Sequence, residues 1–264
     1  MALPHLHPVG RADERTPEDR GLGAAQVSRP ATLQRYENGR FVLRDDAIAV
    51  ETDLRLVVNG RQAGVLSRTP GDDLNLVAGH LFSNARIREA ADMADVRFNY
   101  RGVNRAEVTL GSDPGIRRLY PSPRPVRIRP EQLFEFKEAF ENRQKLYRNT
   151  GSTHAAALFS ADGEFISFGE DVGRHNAFDK AIGRALLEGC LEHVTIAMLS
   201  SRLALELAVK ASTANIPILC GFSAATSSGI CYAERNNLTL VGRLRRQSFN
   251  VYSNGWRILA VDHD

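Results

Sequence analysis

Hydrophobic positions change period along this chain, and each change predicts a different kind of element. Ala47–Glu51 and Leu54–Val58 run or alternate apolar, and Asn59-Gly60 follows directly. Asn-Gly between such runs favours a two-residue hairpin, because both residues accept positive φ. Arg61–Ser67 is then the return strand. Thr69-Pro70-Gly71-Asp72-Asp73 predicts a turn that opens a helix to about Asn84. Thr69 or Asp72 would cap it, and Leu74, Val77, Ala78 and Leu81 would share its apolar face. The strand-rich character holds from Arg35 to about Leu110.

The pattern breaks over residues 111–130, where Gly111, Pro114, Gly115, Pro121, Pro123, Pro125 and Pro130 exclude regular elements. A helix is expected at Glu131–Arg148, with Leu133, Phe136, Phe140 and Leu146 on its stripe. Beyond it, apolar runs alternate with helical periods. Ala155–Phe159 and Glu164–Phe168 read as a hairpin about Asp162-Gly163. A helix capped by Asn176 should end at Gly189. Strands follow at Val194–Leu199, Ile216–Cys220, Leu238–Val241 and Phe249–Tyr252, with helices at Arg202–Thr213 and Thr226–Arg235. Such alternation predicts an α/β fold with a mostly parallel sheet and helices on its faces. The expected organisation is a disordered tail over residues 1–30, a strand-rich subdomain over 31–130 that includes the Pro-rich loop, and an α/β domain over 131–264.

Composition narrows the function classes. The 264 residues carry 34 basic and 31 acidic side chains, a net charge of +3 that is too balanced to imply nucleic-acid or membrane binding in bulk. No run approaches 18 apolar residues, so no spanning helix is expected. The first thirty residues lack the apolar core of a secretory signal. Three cysteines, Cys190, Cys220 and Cys231, form no CxxC pair and fit a reducing compartment, which points to the cytoplasm. No metal site is expected: the zinc-deaminase pattern needs a Pro-Cys-x-x-Cys that is missing. P-loop and GxSxG motifs are also lacking.

Candidate chemistry collects in four loops. Gly169-Glu170-Asp171-Val172-Gly173-Arg174-His175-Asn176 packs two carboxylates, Arg174 and His175 before a helix N-terminus. It reads either as an anion site with close backbone approach or as a capped turn with local ion pairs. Ser200-Ser201-Arg202 ends a buried strand, where α/β sheets bind ligands; taken alone, helix capping by Ser201 explains it better. Thr150-Gly151-Ser152-Thr153-His154 offers His154, structural or ligand-facing. Arg243, Arg245 and Arg246 could fork onto phosphates or cover a solvated strand end. A small-nucleotide enzyme with Glu170, Asp171 and His175 as acid–base groups is a further reading, although no nucleophile accompanies them.

These segments, in this order, resemble the family of formate dehydrogenase accessory sulfur carriers, FdhD. The likeness runs through Glu51–Leu54 and Val58-Asn59-Gly60, Arg68–Leu74, Thr150–Ala157, Glu170–Lys180, and Ser200–Arg202 with Glu206 and Lys210. It continues through Ile216-Pro217 with Ser223, Leu238–Arg245, Phe249–Tyr252 and Arg257-Ile258, covering about residues 31–258. The resemblance implies a C-terminal α/β sandwich similar to cytidine deaminase, without the zinc. It implies sulfur taken from a cysteine desulfurase and passed to the molybdenum bis(molybdopterin guanine dinucleotide) cofactor for formate dehydrogenase. It also implies a homodimer, and a nucleotide-binding stretch at Arg243, Leu244, Arg245, Arg246, Gln247 and Ser248. His154, Arg174, His175 and Arg202 are the further expected contacts.

One departure is sharp. Where the family carries Cys-Gly-x-Cys, Arg117-Arg118-Leu119-Tyr120 runs into Pro121-Ser122-Pro123-Arg124-Pro125. A persulfide needs a thiolate to carry the sulfur, and a serine hydroxyl cannot replace it. The expectation is cofactor binding with cysteine-based sulfur transfer lost. The alternative is transfer through another cysteine.

Overall fold

Two Asn-Gly pairs set the N-terminal architecture. Asn38-Gly39 (φ 51° and 81°) joins β1 (Ser28–Glu37) to β2 (Arg40–Ala49), and Asn59-Gly60 (49° and 75°) joins β3 (Thr52–Val58) to β4 (Arg61–Arg68). Successive positive φ values match the right-handed twist of both ribbons. The computed structural model describes residues 25–111, 122 and 124–259. The expected tail therefore lies mostly outside the described residues, and β1 begins inside its last stretch, at Ser28.

β3 and β4 join β5 (Met93–Asn99) and β6 (Arg105–Leu110) in a four-stranded sheet of order β4-β3-β6-β5. Its inner face carries Leu54, Leu56, Leu66, Ala106 and Val108 against α1 (Asp73–Ser83). Gly79 of α1 meets Gly183 of α4 (Arg174–Leu187) at a helix crossing with backbone in contact: a Cβ on Gly79 would stand 1.9 Å from the Asp179 carbonyl oxygen. The strand-rich segment and the α/β segment consequently share one apolar core.

The second sheet has the order β12-β11-β10-β9-β7-β8, with β7 (His154–Phe159), β8 (Phe165–Asp171), β9 (Ile196–Leu199), β10 (Ile218–Gly221), β11 (Thr239–Gly242) and β12 (Asn250–Ser253). Only the β9–β10 and β10–β11 pairs are parallel. The mostly parallel sheet expected from the alternation is thus a mixed one. The hairpin about Gly163 turns β8 back on β7, and β12 returns beside β11 with no helix between them.

The helix expected at Glu131–Arg148 is two helices, α2 (Pro130–Glu141) and α3 (Lys145–Thr150). The break has a cause. The Glu170 carboxylate accepts the Leu146 and Tyr147 backbone N–H groups at 3.1 and 2.7 Å, which starts a new helix there. α5 (Leu205–Thr213) and α6 (Ser227–Arg235) complete the helices, and Thr226 caps α6 through the Gly229 N–H. Among the described residues no helix is long and apolar enough to cross a membrane.

Candidate functional site

β7 runs antiparallel to both β8 and β9, so its first residue stands beside the last residues of its neighbours. His154 is in register with Asp171, and Ala156 with Leu199. The ends of β10 and β11 lie on the same edge. All four loops singled out from the sequence therefore open along one carboxyl edge of the sheet, the place where α/β sheets present backbone groups to ligands.

The loop of residues 169–176 sorts into structural and free groups. Asp171 is fully buried. Its carboxylate accepts from Thr69 N (3.0 Å), Gly173 N (2.9 Å) and Asn176 Nδ2 (3.1 Å), and it ion-pairs with Lys180 Nζ at 2.7 Å. Thr69 Oγ1 accepts in turn from Val172 N, and Lys180 donates to the Thr69 carbonyl. The Arg68–Asp73 motif is thereby bolted to the loop, with Arg68 held by Asp73 at 2.8 Å and Tyr100 donating to the same carboxylate. Burial, then the Asp73 charge, push the Tyr100 hydroxyl well above its ordinary range. Glu170 is spent on α3 and on Thr153.

Two expectations change here. Asn176 is not the cap of α4: Gly173 occupies that position, and the Asn176 amide donates to Ser67 O and to Asp171. Gly169 does not make room for a ligand. A Cβ there would lie 2.2 Å from the Ala177 carbonyl oxygen, so the glycine lets α4 sit on β8. Glu170 and Asp171 being engaged, the acid–base reading loses both carboxylates.

Arg174 and His175 remain, and the Arg174 charge acts on both His154 and His175. Burial, then the Arg174 charge, hold the His154 pKa below its ordinary value, leaving a neutral imidazole at neutral pH. His154 Nδ1 lies 3.1 Å from Ser200 Oγ, which also accepts the Ala155 N–H at 3.0 Å. The buried Arg174 Nε has no hydrogen-bond partner among the described residues. His175 instead pairs with Glu206, Nε2 to Oε2 3.1 Å, in a crevice of about 470 Å³ that also holds His80, Asn84 and Lys210. Burial, then Arg174, lower its pKa as well. At the crevice floor, Asp179 accepts from Ser83 and Lys210.

Ser201 does not cap the next helix. α5 starts at Leu205; the chain bends at Ser200 and Ser201, and Leu203 is bridged to Ala225 before the helix begins. Arg202 is left exposed on the edge. After β11, Arg243 takes a positive φ of 52°, and Leu244 turns into the core, fully buried. The Leu244 side chain therefore cannot reach a ligand, against expectation. Arg243, Arg245, Arg246, Gln247 and Ser248 are exposed. Arg245 Nη1 is tied to the Phe222 carbonyl at 2.7 Å. Loops following β8 and β11 are separated by four strand spacings, or about 19 Å at the usual 4.7–4.9 Å per spacing. The cations thus form a row rather than a single cluster. Sequence reasoning passed over Ser200 as the partner of His154, because its position before a helix suggested capping.

The cysteines stand elsewhere. Cys220 is buried in β10, and burial pushes its thiol far up. Burial, then Glu188, push the half-buried Cys190 up too. Cys231 is exposed on α6. Residues 112–121 and Pro123, which include most of the stretch where a cysteine loop would be looked for, lie outside the described residues. Ser122 is described: its carbonyl accepts from Asn237 Nδ2 and Arg257 Nη2, and Arg124 donates to Val194 O. Val194 and Asn237 precede β9 and β11, so this segment is anchored at the opposite, amino edge of the sheet. Among the described residues no group of three or more His, Cys, Asp or Glu is arranged to hold a metal ion.

The model of the FdhD/NarQ family matches residues 112–259. The sulfur carrier protein FdhD of Streptomyces avermitilis is 34% identical over 88% of this chain and 96% of its own length. That of Saccharolobus solfataricus is 34% identical over 86% and 96%. A solved structure described as a formate dehydrogenase accessory protein from Desulfotalea psychrophila superposes with a TM-score of 0.77 at 25% identity, covering 88% of this chain and all of that one.

Proposed function

The chain belongs to the FdhD/NarQ family, and from that premise we propose that it binds the guanine-nucleotide part of the molybdenum bis(molybdopterin guanine dinucleotide) cofactor along its carboxyl edge, without carrying sulfur on a cysteine pair. The cofactor is cargo. The chain would act in the cytoplasm, as a homodimer, in the maturation of formate dehydrogenase. A cysteine desulfurase would be a partner only where sulfur transfer persists.

One observation carries the reading. Arg174, Arg202 and the Arg243–Arg246 loop follow separate strands of one sheet and open on the same edge, with His154 and Ser200 between them. An extended diphosphate-bearing ligand suits a row of cations better than a single phosphate does. Arg174 is the strongest contact, because its Nε lacks a partner among the described residues and a ligand oxygen would supply one. Arg245 contributes less than its sequence position suggests, since it already holds the Phe222 carbonyl.

Arg174→Ala is expected to weaken guanosine diphosphate binding about tenfold or more, equivalent to 1.4 kcal/mol or above. Arg245→Ala should cost less. Fluorescence titration with a labelled guanine nucleotide measures both. Equal, wild-type affinity in the two variants would remove the edge from consideration.

Exposure of Cys231 supports a second reading, in which this thiol carries the sulfur. It lines an opening of about 430 Å³ with Tyr232 and Arg235. Incubation with a cysteine desulfurase and cysteine, followed by mass spectrometry, distinguishes the two. No sulfur adduct is expected. A 32-Da adduct that Cys231→Ser abolishes establishes the second reading.

A further inference from the structure

The outer face of the four-stranded sheet carries a groove of about 410 Å³ whose lining includes Arg55, Arg101 and Arg105, the amides of Gln62 and Asn99, and an apolar floor at Val57, with no carboxylate among the described residues. In a chain with 34 basic and 31 acidic residues, that is a local excess of positive charge. Arg55 and Arg105 are direct partners in the β3–β6 register. Like charges placed opposite each other on a sheet oppose its pairing, so the fold gains nothing from this arrangement. Glu107 meets Arg105 through Nε at 2.8 Å, and Arg55 makes no ion pair among the described residues.

The groove is remote in kind from the carboxyl edge. It belongs to another sheet, and none of its lining residues is shared with the loops that end β8, β9 or β11. Its donors spread from β4 to β5 over three strand spacings, about 14 Å. That is too wide to converge on one phosphate. It suits a chain that lies across the strands and offers carboxylates at intervals. Val103, 54% exposed, adds apolar contact at one rim.

We propose that this groove docks an acidic, extended segment of a partner protein. Carboxylates would fork onto Arg55 and Arg105, and offsetting their mutual repulsion would add to the attraction. Charge complementarity of this exposed type speeds encounter and weakens steeply with salt.

The test uses the full chain and a fluorescein-labelled peptide of alternating glutamate and serine, read by anisotropy, with the same peptide carrying glutamine as control. The glutamate peptide should bind and the glutamine peptide should not. The double variant R55E/R105E should weaken binding about tenfold or more while still unfolding in one cooperative thermal transition. The neutral pair R55Q/R105Q should fall between them, with a midpoint equal to or above wild type, since it removes the repulsion. Undiminished binding in both variants overturns the proposal. So does displacement of the peptide by inorganic phosphate at matched ionic strength, which would make this a small-anion site.

Discussion

Asp171→Ala is expected to destabilise the fold by about 3–5 kcal/mol, the usual cost of removing one partner of a buried ion pair. Asp171 is fully buried and its loss would leave Lys180, itself 2% exposed, as an uncompensated interior cation. The Thr69 and Gly173 N–H groups would be orphaned with it. For a chain of this size that corresponds to a fall in thermal midpoint on the order of 10 °C. Urea unfolding measures the free energy directly. The change should also loosen the loop that presents Arg174, so nucleotide affinity should fall together with stability. A loss below about 1 kcal/mol would mean that Lys180 finds another partner, and that the bolt between the Arg68–Asp73 motif and the carboxyl edge is not what holds the loop.

Gly183→Val should be more damaging still. A Cβ at residue 183 would stand 1.9 Å from the Asn75 carbonyl oxygen and 2.6 Å from the Gly79 nitrogen, both backbone atoms that cannot swing aside. α1 and α4 would have to separate, opening the core that joins the two sheets. Overpacking of flexible neighbours costs about 1–3 kcal/mol, and a backbone clash exceeds that range. Little soluble protein is expected at 37 °C. Gly189→Asn is the matched control: nothing lies within 4 Å of its Cβ position, and its φ of 71° is one that asparagine accepts. That variant should fold with a change below about 1 kcal/mol. Similar stability in the two variants would contradict the helix crossing.

These residues show what the sequence could and could not disclose. Asn59-Gly60 was legible because apolar runs flank it. Asn38-Gly39 carries the same signal and was passed over, since β1 and β2 are mostly exposed and lack a one-sided apolar face. The order of the C-terminal strands was readable from their apolar runs, but not their direction, which depends on whether a helix or a hairpin intervenes. The octapeptide at residues 169–176 looked dense in chemistry because a linear reading cannot see partners. Thr69 lies 102 residues from Asp171, and only the fold reveals that the carboxylates are engaged. Arg174 and His175 are adjacent in sequence, yet His175 pairs with Glu206 while the Arg174 charge bears on both His154 and His175. Leu244 falls in the nucleotide-binding stretch that the resemblance implies, although its apolar side chain alone argues for the core, where it is fully buried.

Calorimetric titration of the purified chain with guanosine diphosphate addresses the central claim most directly. Saturable binding that weakens with added salt, alongside no sulfur adduct on any cysteine, is the predicted result. No heat at any nucleotide concentration, with the protein folded, would contradict it.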